Sequence, residues 1–290
     1  MITDAPQRNV LREHPIQLQP EKYFRFGNLH INVFNDTTKL NRSVAENICQ
    51  EMKQGGLVVL PSDSTHGNEK DKPPGQIYKF LDKLIAKTKV PSTLRVTHMD
   101  ELDGGNTSFS ESIKKWLPTL VKRLRNRFHA IDIKNFDAYK NLMETGPRVI
   151  VGGIGAATPP HVAYIGEEKN STTDSQILNT EPKRIKLRDQ ESNRKKCTHA
   201  FTMGMNSFKP ANKNLQTVIL TAKGEKKAKA VKHALKEALG FANMAKSACG
   251  QILKQFASSQ NKNGPKLVLN LDQELFKKLP SDLLNKLLII

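Results

Sequence analysis

Short, fully apolar runs alternate along this chain with amphipathic stretches. LHINVF (29–34), LVVL (57–60), TLRVTHM (93–99), RVIV (148–151), HAFTM (199–203), TVILT (217–221) and LVLNL (267–271) read as strands. Runs that are apolar on both faces suit a parallel sheet covered on both sides. Between them the period changes. Val44, Ile48 and Met52 recur every fourth position, widened by Ala45 and Cys49, and predict a helix capped by Thr37 or Thr38 and stopped at Gly55-Gly56. Ile77, Phe80, Leu81 and Leu84 predict a helix from about Gln76. Ile113, Trp116, Leu117, Leu120 and Leu124 predict one over 109–128 that Pro118 bends or divides. Further helices are expected over 136–143, over 225–239 with Ala228, Val231 and Leu235 inward, from about Asn243 to Phe256, and at the C-terminus.

This alternation predicts an α/β fold: a three-layer α/β/α, doubly wound, mostly parallel sheet. In such sheets ligands bind beyond the carboxyl ends of the strands. The segments after 57–60, 93–99, 148–151 and 217–221 are therefore where chemistry is expected. Residues 1–28 are polar, carry Pro6, Pro15 and Pro20, and read as an N-terminal extension to a single domain over 29–290. The polar stretch 166–198 reads as a loop with a short strand near Ile185.

Charge changes the picture next. Among 290 residues, 46 Lys and Arg face 28 Asp and Glu, for a net charge of +18. Such a balance favours anionic partners. The cations concentrate over Lys114–Arg127, Lys183–Lys196 and Lys223–Lys236. Aromatic residues are only 6%, and no nucleic-acid motif is present, which argues against nucleic acid as the partner. Cys49, Cys197 and Cys249 show no metal or disulfide spacing, as expected in a reducing compartment. No apolar stretch approaches the roughly 20 residues of a membrane span, and no secretory signal opens the chain. These features lead to the expectation of a cytoplasmic protein without membrane contact. Gly152-Gly153-Ile154-Gly155 lacks the full spacing of a dinucleotide fingerprint.

The strand ends hold the candidate chemistry. Asp100 lies where a strand stops, and a carboxylate partly withdrawn from water gains the basicity that proton abstraction needs. His161 suits proton shuttling near neutral pH. Ser62, Ser64 and Thr65 offer hydroxyls between a strand and a helix, where anions are commonly held. Arg194 can fork onto two phosphate oxygens. Lys227, in the first turn of the helix over 225–239, adds its charge to the helix dipole, with Lys226 as its neighbour in register.

Four of these segments, LPSDSTH (60–66), MDEL (99–102), GGIGAATPPHVAY (152–164) and KGEKKA (223–228), occur in the order and approximate spacing of one family. The chain resembles the glucosamine-6-phosphate deaminases, relatives of the 6-phosphogluconolactonases, from about residue 29 to about 260. Ser192-Asn193-Arg194 and HAFTMGM (199–205) fit the same pattern. The resemblance implies a phosphorylated sugar as substrate, no cofactor and no metal, and assembly into a homo-oligomer. It implies a phosphate held by Ser62, Ser64, Thr65, Arg194 and Lys227. It implies Asp100 as the base that moves a proton between C1 and C2, and His161 as the group that opens the ring.

The chain also departs from that pattern. Asp63 and Ser64 replace adjacent glycines of the phosphate loop. Pro159 and Gly166 stand where the family has an aspartate and a glutamate beside the histidine, with Glu167 one residue further on as the substitute carboxylate. These departures leave two alternatives to a deaminase/isomerase: a sugar-phosphate sensor that has lost turnover, and a lactonase-like hydrolase. The MDEL phrase and Ser108, Ser110 and Ser112 favour the deaminase branch over the lactonase. A basic nucleic-acid-binding protein is the third alternative.

Overall fold

The computed structural model describes residues 19–62, 66, 76–104, 108–156, 160–165, 181–187, 192–193, 196–241 and 247–288. The first half carries β1 (Lys22–Phe26), β2 (Leu29–Phe34), α1 (Thr37–Met52), β3 (Gly56–Leu60), α2 (Gln76–Ala86) and β4 (Leu94–His98). There follow β5 (Asp100–Leu102), α3 (Phe109–Trp116), α4 (Pro118–Leu124), β6 (Phe128–His129) and α5 (Phe136–Glu144). The second half carries β7 (Val149–Gly153), β8 (Lys183–Lys186), β9 (His199–Thr202), β10 (Thr217–Ala222) and α6 (Ala228–Ala238). It ends with α7 (Ala248–Ala257), β11 (Lys266–Asp272), α8 (Gln273–Lys277) and α9 (Ser281–Leu288).

Among the described residues eight strands form the main sheet, in the order β1-β2-β11-β10-β7-β3-β4-β6. Every pairing from β2 to β6 is parallel, and only β1 runs against its neighbour. A second, antiparallel sheet of β5, β9 and β8 stands beyond β4. Side chains alternate across the main sheet. Val58 and Leu60 of β3, Val96 of β4 and Val149 and Val151 of β7 meet Val44, Ile48, Ile77, Leu81, Ile113 and Leu120 from α1–α4. Leu57, Val59, Ile150, Leu220 and Leu269 face the other way, onto Tyr139, Val231, Leu235, Ile252 and Leu283 from α5, α6, α7 and α9. The architecture is thus the three-layer, doubly wound sheet expected from the sequence.

Three local features differ from that expectation, and the division at Pro118 bears it out. Residues 22–26, read above within the N-terminal extension, form the edge strand β1. The cap of α1 is Asp36, whose carboxylate accepts the Lys39 N–H at 2.9 Å, so Thr37 and Thr38 fall inside the helix. The long helix over 109–128 is divided at Leu117, as the Pro118 ring requires, and closes in a 3₁₀ turn at 125–127 before β6. The helix expected over 225–239 starts as a 3₁₀ turn, and α6 proper begins at Ala228. The stop at Gly55-Gly56 holds: both adopt φ near +75° (74° and 79°), and a Cβ at Gly55 would lie 2.1 Å from Thr93 Oγ1.

Candidate active site

β3 lies between β4 and β7. The chain leaves β3 toward β4, and after β7 it reaches β10 on the opposite flank. Connections that part in this way open a crevice beyond the carboxyl ends of the two strands. Asp100, Ser62, His161 and Lys227 all follow strands at this end of the sheet.

Asp100 is placed by several independent bonds. The Met99 N–H donates to Leu60 O at 3.0 Å and the Met203 N–H to Met99 O at 2.9 Å, which ties the end of β4 to β3 and to the small sheet. Asp100 itself opens β5 opposite Thr202. Its carboxylate is buried, and the Ser62 hydroxyl donates to Oδ1. Beneath it the fully buried His98 imidazole is fixed at both nitrogens. The Ile131 N–H donates to Nε2 at 3.0 Å, so the ring proton sits on Nδ1 and is given to Asp100 O at 2.8 Å. Tyr139 donates its hydroxyl to His98 O at 3.1 Å. Burial, then the nearby Asp100 charge, push the Tyr139 phenol well above its usual range. A rigid platform therefore carries this carboxylate.

The neighbouring carboxylate has a different task. Glu101 accepts the N–H groups of Leu102, Phe109 and Ser110 at 3.0, 2.7 and 2.9 Å, and the Ser108 hydroxyl at 3.2 Å. It satisfies the open N–H groups at the start of α3, which would otherwise be buried without acceptors. Glu101 thus closes the start of α3 together with the cap residue Ser108, whose hydroxyl oxygen accepts the Glu111 N–H at 3.3 Å.

His161 sits above β7. Its carbonyl accepts the Gly155 N–H at 2.9 Å, and its ring lies against the Gly155 backbone: a Cβ at 155 would come within 2.3 Å of Cε1 and Nε2. No side chain at 155 is compatible with this placement. Tyr164 N–H donates to Thr202 Oγ1 at 3.3 Å, which fastens the His161 segment beside the residue paired with Asp100. On the other side, the Cys249 N–H meets Pro160 O at 3.5 Å. The Cys249 thiol is pushed far up by burial, an effect that the nearby Lys227 charge opposes. Lys227 follows β10 as the N-cap residue of α6.

The approach to Lys227 is itself pinned. Gly224, at φ +83°, donates its N–H to Asp272 Oδ2 at 2.7 Å, while Asp272 Oδ1 caps α8 through Leu275 N–H. Lys223 Nζ reaches Asn41 Oδ1 at 3.4 Å, and Asn41 Nδ2 meets Gln76 Oε1 at 3.4 Å. Lys223, Asn41 and Gln76 therefore join β10, α1 and α2 beside the segment that contains Ser62. Ser64, Thr65, Arg194 and Glu167, along with Asp63 and Pro159, lie outside the described residues. Among the described candidates, Ser62 and Asp100 touch directly, the His161 segment is fastened through Tyr164 to Thr202, and Lys227 follows β10.

Sequence reasoning missed His98, Tyr139, Asn41 and Lys223. The one signal for His98 was a histidine at the inward end of an apolar strand run. Its pKa lies below the ordinary 6.5, first because of burial and also because of Lys114, against opposing effects of Glu101 and of the Asp100 carbonyl. The unfolded chain therefore binds more protons just below pH 6.5, and stability rises with pH across that window. We expect the Tm to fall on acidification below about pH 6.5 and His98→Gln to flatten that fall. His30 and His129 are also lowered by burial, so part of the slope stays. Melting curves at several pH values check this, and an unchanged slope in His98→Gln would exclude it.

Comparison with solved structures gives the fold a context. A monomeric glucosamine-6-phosphate deaminase matches with a TM-score of 0.60 at 15% identity, over 85% of this chain and 98% of that one. The 6-phosphogluconolactonase from Plasmodium vivax matches with a TM-score of 0.60 at 15% identity, over 90% and 97% of the two chains. That from Thermotoga maritima matches with a TM-score of 0.54 at 17% identity, over 84% and 99%. No family model matches the sequence, and no curated protein does. The chain shares the fold of the deaminases and lactonases, at a sequence distance that marks it as divergent.

Proposed function

We propose that this protein binds a phosphorylated sugar in the crevice beyond β3, β4 and β7 and moves a proton between C1 and C2 of it, as a deaminase/isomerase does. One observation carries the reading: the buried Asp100 carboxylate accepts the Ser62 hydroxyl and the Asp100 backbone carbonyl accepts the fixed His98 ring, while the acid beside it serves the fold. In this scheme Asp100 abstracts the proton, His161 serves ring opening with Glu167 as its carboxylate partner, and the phosphate is taken by Lys227 and Arg194 with the Ser64 and Thr65 hydroxyls, the Ser62 hydroxyl being already given to Asp100. A guanidinium, an ammonium and hydroxyls are the donors that a phosphate dianion selects. The solved deaminase and lactonases of the same fold supply the substrate class. A cytoplasmic homo-oligomer that needs no cofactor belongs to the same proposal.

A sensor without turnover is the second reading, favoured by Pro159 at the place of an orienting aspartate. Ammonia release from glucosamine 6-phosphate, hydrolysis of 6-phosphogluconolactone and the melting temperature with each ligand distinguish the cases. Ammonia release supports the proposal. Lactone hydrolysis alone replaces it with the hydrolase. A raised melting temperature without either reaction replaces it with the sensor, and no response to any sugar phosphate overturns it.

A further inference from the structure

A second cationic feature lies at the amino-terminal end of the same strands. Between the end of α2, the segment entering β4, and α4 with its 3₁₀ turn lies a groove of about 980 Å³. Lys89, Lys122, Arg123, Arg125 and Arg127 line it, together with uncharged residues, and no carboxylate among the described residues does. Leu94 and Asp100 mark the two ends of the β4 segment, about 20 Å apart at the rise of an extended chain, so the groove is separate from the crevice.

The cations are arranged rather than merely exposed. Arg123 donates to the carbonyls of Ile85, Ala86 and Thr88 at 2.5–2.7 Å, and Arg127 to those of Pro91, Ser92 and Leu94 at 2.5–3.2 Å. These neutral acceptors fix both guanidinium groups without cancelling their charge. Asp82 of α2 directs Oδ1 to the Thr119 and Leu120 N–H groups. Lys89, Lys122 and Arg125 project to solvent. Arg125 holds φ +54° and ψ −118°, a region where glycine is the strain-free choice. A charged side chain at a position that favours glycine points to a role for that side chain.

We propose that this groove binds the phosphate backbone of a nucleic-acid duplex without reading its sequence. Cations that project beside fixed guanidinium groups match a row of phosphates, and the net charge of +18 steers a polyanion toward them. No aromatic side chain lines the groove, so unpaired bases find no stacking platform there, and a duplex that keeps its bases inside is the better occupant. The low aromatic content weighs against single strands and not against backbone contacts. An anionic membrane fits less well. The exposed large hydrophobic residues among those described are Tyr23 and Ile133, and neither lines this groove to serve as an apolar anchor.

The test is fluorescence anisotropy with a 20-base-pair duplex across a salt series, on the full chain. The combined variant Lys89→Gln, Lys122→Gln, Arg125→Gln is compared with Lys229→Gln, Lys254→Gln, Lys262→Gln, which removes the same charge from other faces. The wild type is expected to bind with an affinity that falls steeply with salt. The groove variant is expected to lose about tenfold or more and to flatten the log–log slope by about 2–3, while the control loses much less. Circular dichroism and turnover of any sugar-phosphate substrate are expected to stay unchanged in the groove variant, which keeps this outcome separate from that of the crevice. Three results overturn the proposal: no duplex binding at low salt, equal loss in both variants, and preferential binding to phosphatidylserine vesicles that the groove variant abolishes.

Discussion

Asp100→Asn is expected to lower turnover of the sugar phosphate by about 10²–10⁴-fold while leaving ligand-induced stabilisation in place. The substitution keeps the shape of the side chain and its acceptor Oδ1, so the Ser62 hydroxyl retains its partner. What it removes is the basic oxygen. In the proposed scheme the substrate phosphate is held by Lys227 and Arg194, away from this change, so the loss is expected in kcat rather than KM. Ser62→Ala is the companion variant. It removes one hydrogen bond to the carboxylate, worth about 1 kcal/mol or about fivefold in rate. Steady-state kinetics of both variants on the wild-type substrate check the assignment. Full activity in Asp100→Asn would remove the carboxylate from the chemistry altogether.

Glu101→Ala is expected to be the most damaging substitution to the fold in this region, at about 3–5 kcal/mol. Three backbone N–H groups, of Leu102, Phe109 and Ser110, converge on that one buried carboxylate. Truncation leaves them without acceptors, and each buried unsatisfied donor costs about 1–3 kcal/mol. Glu101→Gln is nearly as poor, because its amide turns hydrogens toward donors on one side or the other. Denaturant unfolding with each variant gives the magnitude. A loss below 1 kcal/mol for Glu101→Ala would mean that water replaces the carboxylate at the start of α3. The proposal thus gives the adjacent acids at one strand end a chemical role and an architectural one, and the two variants test the roles independently.

The parallel core was legible because its strands announce themselves locally. LVVL, RVIV, TVILT and LVLNL are apolar on both faces, and that pattern has few other uses in a chain of alternating elements. β1 was not legible as a strand. KYFRF alternates, with Phe24 and Phe26 buried and Tyr23 and Arg25 exposed, inside a polar stretch that reads as an extension. The division at Pro118 could be read, whereas the short β6 after it could not, since two residues carry no periodicity. In the crevice, Asp100 could be found from its position after a strand. Its supports could not. Ser62 and Asp100 are 38 residues apart, and His98 meets Ile131 across 33. Such partners are chosen by tertiary packing and leave no spacing signal. That Glu101 rather than Asp100 closes the start of α3 also depends on where the segment before Phe109 returns.

The sheet order also dictates when the molecule can form. β2 pairs with β11, and Asn32 meets Asn270 at 3.2 Å across 238 positions of the chain. During synthesis the hairpin of β1 with β2 emerges before β11 and waits with its inner edge open until β11 has left the ribosome. Closing so long a loop is entropically costly and slow, and the waiting edge is a template for wrong pairings. The hairpin's outer strand carries Lys22 and Arg25, charges that discourage association with another nascent chain during that interval.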